Sequence, residues 1–232
     1  MNILITGAGR GLGAELAAEA LERGHRVIAG VRTPEDPGPA LTGLADAYGE
    51  ALTVALLDVR DEEGIAALAA GLREQGVALG AIINNAAVLT ARDTPIEELD
   101  FQDMLLTMDI NLYGPMRVVK HFLPLLTAPD ASIINVSSEA GSITNAYPGD
   151  YPYSISKTAL NIFSQQLHVY LRERGVHVLS VHPGWMHTDM GGSSAPTDPR
   201  RSAEGILDLL EQRKPPQEHF RFVDYTGKDM PI

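Results

Sequence analysis

A phenol and an amine stand four residues apart in the run Tyr153-Ser154-Ile155-Ser156-Lys157. At that spacing two side chains leave the same face of a helix. A tyrosine titrating near 10 exchanges protons poorly at neutral pH, and a neighbouring cation favours its phenolate. A drop of about three units corresponds to roughly 4 kcal/mol, within reach of a partly desolvated cleft. The pair can therefore act as an acid–base centre, with Tyr153 moving the proton and Lys157 tuning it. The same spacing also describes an ordinary surface pair, so the surroundings decide. Upstream, an apolar run leads into Asn135-Val136-Ser137-Ser138-Glu139. A hydroxyl at the carboxyl end of such a strand can donate to a carbonyl oxygen as negative charge develops on it. Adjacent strand residues face opposite ways, so only one serine of the two can face the cleft. The commoner fate of a loop serine is to satisfy local backbone.

A second chemical feature opens the chain. Residues 3–6 read as a strand and run into Gly7-Ala8-Gly9-Arg10-Gly11-Leu12-Gly13, within which a helix begins. Gly7 suits a tight turn, Gly11 a close backbone approach to a pyrophosphate, and Gly13 close helix–strand packing. The helix start adds unpaired N–H groups and a positive dipole end. The spacing is G-x-x-x-G-x-G, which differs from the general G-x-G-x-x-G dinucleotide fingerprint.

The elements that position these groups alternate along the chain. Strands are expected at 3–6, 25–31, 52–57, 81–84, 132–136, 177–181 and 219–223. Helical patterns fall at 12–23, 62–74, 99–126, 152–174 and 202–212, and loops at 33–39, 141–150 and 191–199. Pro152 suits a first helical turn, and Gly175 a left-handed terminator. Near-continuous apolar strands alternating with helices imply an α/β, doubly wound parallel sheet of about seven strands. With no repeat and no linker, residues 1–232 read as a single Rossmann-type domain.

The net charge of −12 argues against nucleic acid and anionic membranes as partners. The absence of cysteine excludes disulfides and thiolate chemistry. No leader and no long apolar run is evident, so a cytoplasmic protein is expected. His182, His187 and Asp189 lack the spacing of a metal site, and no metal is expected. Glu35 and Asp36 read as a solvated turn. Trp185 fits pocket lining and simple packing about equally.

With these motifs in order, the chain resembles the short-chain dehydrogenase/reductase family from end to end. Residues 6–13 match its T-G-x-x-x-G-x-G, and Asp58-Val59 its adenine-flanking pair. Asn84-Asn85-Ala86-Ala87 stands where the family has N-N-A-G, and Asn111 at its catalytic asparagine. Ser138, Tyr153 and Lys157 complete the tetrad, while Pro183-Gly184, Met186 and Thr188 match the nicotinamide segment. The run 182–192, with Val31-Arg32-Thr33-Pro34 and the ending Asp224-Tyr225-Thr226-Gly227-Lys228, is similar to the C-factor and sniffer-like carbonyl reductases.

The resemblance implies a hydride-transferring oxidoreductase acting on small carbonyl or alcohol substrates, and a possible homo-oligomer. In it Tyr153 would be the acid or base, and Lys157 would also hold the nicotinamide ribose. Ser138 would orient the carbonyl, and Asn111 would anchor a water. NADP(H) is expected over NAD(H), because the second strand ends Gly30-Val31-Arg32 with no carboxylate at its tip. Arg32, helped by Arg10, can instead meet a 2′-phosphate. Two departures are visible. Ala87 replaces a glycine and would be strained in a left-handed backbone. The stretch from Ser138 to Tyr153 is slightly long, with Tyr147 and Tyr151 candidate substrate-lining residues. A regulator or scaffold using the fold without turnover, and a same-fold epimerase or dehydratase, are the competing readings.

Overall fold

A computed structural model describes residues 1–127, 129–211 and 220–232. Among them the apolar runs form β1 (Asn2–Thr6), β2 (Arg26–Val31), β3 (Leu52–Leu56), β4 (Ala81–Asn84), β5 (Ser132–Val136), β6 (His177–His182) and β7 (Arg221–Asp224). All pair in parallel, in the order β3-β2-β1-β4-β5-β6-β7. The sequence reverses direction between β1 and β4, and ligands of such sheets bind outside the carboxyl edge at that point. Thr6, Asn84, Val136 and His182 are the residues that end the four central strands there.

The helices are α1 (Gly11–Glu22), α2 (Pro39–Tyr48), α3 (Glu62–Glu74), α4 (Phe101–Met108), α5 (Gly114–Phe122), α6 (Tyr151–Leu171) and α7 (Pro199–Glu211). Asp61 and Asp100 cap α3 and α4 through their side chains. Successive strand residues supply opposite faces of the sheet. Ile3, Ile5, Ile83 and Ile134 pack with Leu16 and Ile206 on one side. Leu4, Ile82 and Ile133 pack with Ile65, Phe122 and Leu171 on the other. Two dry layers around one sheet hold the edge rigid.

Two expectations need correcting. Helix α2 falls just past a segment read as loop and was not expected; only Leu41 of its residues is buried, so it leaves no apolar stripe in the sequence. The single helix expected over 99–126 is broken. Helix α4 passes into a wider π-helical turn at Asp109–Tyr113, then α5 restarts at Gly114-Pro115 and ends in a 3-10 turn at Leu123–Leu125. Pro115 and Pro124 each lack an N–H and cannot continue an unbroken ladder. Pro152 does fall in the first turn of α6, and Gly175 takes a left-handed φ of 70° after it. The expected ends at 212 and 219 lie outside the described residues.

Candidate active site

The phosphate turn is fastened from the neighbouring strand. Thr6 Oγ1 accepts the N–H groups of Asn85 (3.0 Å) and Ala86 (3.1 Å). Asn85 Nδ2 donates back to the carbonyls of Thr6 (3.0 Å) and Gly7 (3.1 Å). A methyl group on Gly13 would overlap the Gly7 carbonyl oxygen, so no other residue fits where α1 leaves the turn. Among the described residues no side chain caps the N-terminus of α1, whose first N–H groups lack partners within the helix. That uncapped, closely approachable helix start suits a pyrophosphate. Gly9 and Leu12 lie in the same turn, and the Thr188 side chain sits over Gly11. Ala87 is not among the residues with positive φ, so the alanine carries no strain there.

Around the adenosine end, Arg32 is exposed at the tip of β2, and Glu35 and Asp36 are exposed beyond it. Asp58 pairs with Arg60 at 3.0 Å, which together with Arg32 holds its carboxyl below the usual range, while Val59 is buried. Arg10 reaches away from the turn to Asp189 at 2.9 Å, both side chains being largely exposed. Pro183 is buried, and the segment after it is pinned by main-chain bonds of Trp185 and His187 to Thr197. Trp185 is 55% exposed and donates to Gly191 O at 2.8 Å. Among the described residues no cluster of metal-ligating side chains exists.

Helix α6 is set on β5 at two points. Asn84 donates to Asn135 (2.8 Å), Asn135 to Ser164 (2.7 Å), and Lys157 Nζ to the Val136 carbonyl (2.8 Å). Ser164 lies seven residues past Lys157, two turns along the same face. Gly141 lets the turn Glu139–Gly141 touch the α6 backbone; a Cβ there would stand 2.8 Å from the carbonyl carbon of Lys157. These contacts bring Ser138, Tyr153 and Lys157 together. Ser138 stands close enough to oppose the upward shift of the Tyr153 phenol while its Oγ accepts from Ala140 N at 3.2 Å, and Lys157 Nζ lies 5.5 Å from the centroid of the tyrosine ring. Ser137 turns the other way and is buried, with no partner for its hydroxyl among the described residues.

Asn111 occupies the π-helical turn and is fully buried. Its Oδ1 accepts from Val88 N (2.8 Å), and its Nδ2 donates to Val88 O (2.9 Å) and to Ser156 Oγ (3.1 Å). Ser156 in turn donates to Tyr153 O at 2.7 Å. The asparagine thus ties the chain after β4 to the tyrosine's own turn. Tyr147 donates to Asp150 at 3.0 Å beside the mouth. Arg92, which sequence reasoning passed over, donates to Met190 O at 2.6 Å and bridges the two loops there.

The short chain dehydrogenase family model matches residues 1–199. The chain belongs to the short-chain dehydrogenase/reductase family. The C-signal protein of Myxococcus xanthus is 37% identical over 65% of this chain and 90% of its own. The carbonyl reductase Sniffer of D. melanogaster is 31% identical with a TM-score of 0.92, covering 100% of this chain and 99% of that one. An NADPH-bound carbonyl reductase from chicken fatty liver is 31% identical with a TM-score of 0.89, covering 100% and 98%. As a short-chain dehydrogenase/reductase the chain is an NAD(P)-linked oxidoreductase acting on CH–OH or C=O groups, akin to the carbonyl reductases.

The site's electrostatics differ from the simple expectation of a cation drawing down a phenol. Burial pushes Tyr153 up to about 12, opposed by the Ser138 hydrogen bond, and burial pulls Lys157 down to about 7. The lysine case has a measurable consequence. Unfolded, Lys157 titrates near 10.5; folded, near 7. Between these values the unfolded chain holds a proton that the folded one has released, so stability rises with pH, by at most about 1.4 kcal/mol per unit. Lys157→Met removes this dependence. In urea unfolding the variant should gain most on the parent at pH 7 and below, and lose that advantage towards pH 9.5. A difference that does not vary with pH would contradict the assignment.

Proposed function

We propose that this protein is an NADP(H)-dependent carbonyl reductase or alcohol dehydrogenase in which Tyr153 transfers the proton. The observation that carries this reading is a buried Lys157 amine 5.5 Å from the Tyr153 ring and bonded to the end of the strand that leads into Ser138, at the carboxyl edge of the sheet. The glycine turn, Asn85, Ala86, Ala87, Pro183, Gly184, Met186 and Thr188 would hold the nucleotide, whose nicotinamide supplies or accepts the hydride when bound. Ser138 donates to the substrate oxygen and holds it against the phenol. Tyr153 gives that oxygen its proton in reduction and removes it in oxidation. Lys157 carries the positive charge that steadies a phenolate and offers further N–H groups to ribose hydroxyls. Asn111 acts at one remove, fixing the turn of α6 that bears Tyr153.

Substitution of Tyr153 by Phe keeps the ring and deletes the proton. Turnover should fall by at least about 10²-fold while NADPH binding stays nearly intact. Near-parental turnover would remove Tyr153 from the role.

The preference for NADP rests on the tip of β2, where Arg32 is exposed and no carboxylate stands at the strand end. Charge-assisted bonds to a 2′-phosphate from Arg32, and from Arg10 on leaving its exposed pair with Asp189, would together favour NADP by at least about 10²-fold. Titrating both nucleotides against the parent and Arg32→Ala checks this. Equal affinities in the parent would overturn the preference, and Arg32→Ala should narrow the gap. A homo-oligomer is supported by apolar side chains left exposed on α4 and α6, among them Phe101, Leu105, Ile162 and Val169.

A further inference from the structure

Beyond these groups, one polar side chain at the carboxyl edge touches the site through the backbone. We propose that His182 is the positioning residue for Ser138, its ring nitrogen replacing the strand acceptor that β6 ceases to offer. The ladder between β5 and β6 ends with Val136 opposite Val181, and Ser137 N donates to Val181 O at 2.8 Å. In a parallel ladder the next donor, Glu139 N–H, would seek the carbonyl two residues on, at Pro183. The chain turns away there, with Gly184 at a φ of 85°. The Glu139 N–H instead donates to His182 Nδ1 at 3.1 Å. The residues on both sides of Ser138 are therefore fixed to β6, one by main chain and one by imidazole, and the hydroxyl between them is held towards Tyr153. The His182 carbonyl accepts from Tyr225 N at 2.9 Å, so the ring is carried by a residue itself tied to β7.

This arrangement requires a particular tautomer. Nδ1 accepts, so the proton sits on Nε2, and protonating Nδ1 would set two donors face to face and release the turn. The charged groups facing the ring are the carboxylates of Glu139 on the turn and Asp224 on β7. Burial outweighs both and holds the imidazole below its ordinary value of 6.5, so the acceptor form is present at neutral pH and lost only in more acidic solution.

The proposal rests on the reading of Ser138 as the hydroxyl that meets substrate, and its test separates the two. Four proteins are compared with NADPH and 4-nitrobenzaldehyde as probe: the parent, Ser138→Ala, His182→Leu and His182→Asn. Asparagine places a non-titrating acceptor where Nδ1 stood. His182→Leu should lower kcat about tenfold with KM for NADPH changed less than about twofold, and His182→Asn should restore most of kcat and lack the parent's acid limb below pH 6.5. The same point is read without turnover by following the Glu139 amide resonance over pH in the protein alone. It should move with the imidazole in the parent and stay still in His182→Asn, which also serves should the leucine variant fail to fold. Parental turnover in Ser138→Ala would overturn the reading of Ser138 and this proposal with it. An impaired Ser138→Ala beside a parental His182→Leu, or a Glu139 amide indifferent to the imidazole, would overturn the proposal alone.

Discussion

The hydrogen bond from Lys157 Nζ to the Val136 carbonyl fixes more of this site than any other contact. It joins the helix bearing the phenol to the strand leading to the serine, and it does so with an amine that is only 2% exposed. Burying an amine is costly unless it is paired. The Val136 carbonyl takes one of its three N–H groups. The asparagine and serine chain from Asn84 to Ser164 secures the same helix two turns further on. Gly141 lets the serine's turn rest directly on the helix backbone, and Asn111 braces the tyrosine's turn from the far side.

The charge state of the site follows from that burial. A phenol at about 12 beside an amine at about 7 describes a protonated tyrosine next to a half-protonated lysine around neutral pH, and such a phenol gives up its proton poorly. Both shifts arise from withdrawal of the charged forms from water, so both respond to the same remedy. Acceptors brought to the free N–H groups of Lys157 favour the ammonium, and an ammonium 5.5 Å from the ring favours the phenolate. Ribose hydroxyls are acceptors of that kind.

How much of this was legible in the sequence depends on how local each feature is. The glycine turn, the alternation of strands and helices, and the shared face of Tyr153 and Lys157 are written in spacings of four to thirteen residues. They lead directly to the parallel sheet and the edge on which the site sits. Strand alternation lets only one of Ser137 and Ser138 face the cleft, and the family pattern favours Ser138. Features that depend on distant segments were not legible. The bond between Glu139 and His182 joins residues 43 apart. Arg10 meets Asp189 across 179 residues, and nothing in the turn announces it. The π-helical turn at Asn111 left only Gly114-Pro115 as a trace, and α2 left no apolar stripe. The directions of the two shifts follow from packing on all sides, which spacing along one helix does not report.

The most direct test follows the Tyr153 phenol itself, by carbon NMR of ring-labelled tyrosine over pH, in the protein alone and with NADP added. Alone, the phenol should remain protonated past pH 10 and ionise near 12. With NADP its ionisation should move down, and in Lys157→Met the nucleotide should produce no such movement. A phenol that titrates at an ordinary value in the protein alone, or one whose ionisation the nucleotide leaves unchanged, would contradict a site tuned by the burial of Lys157.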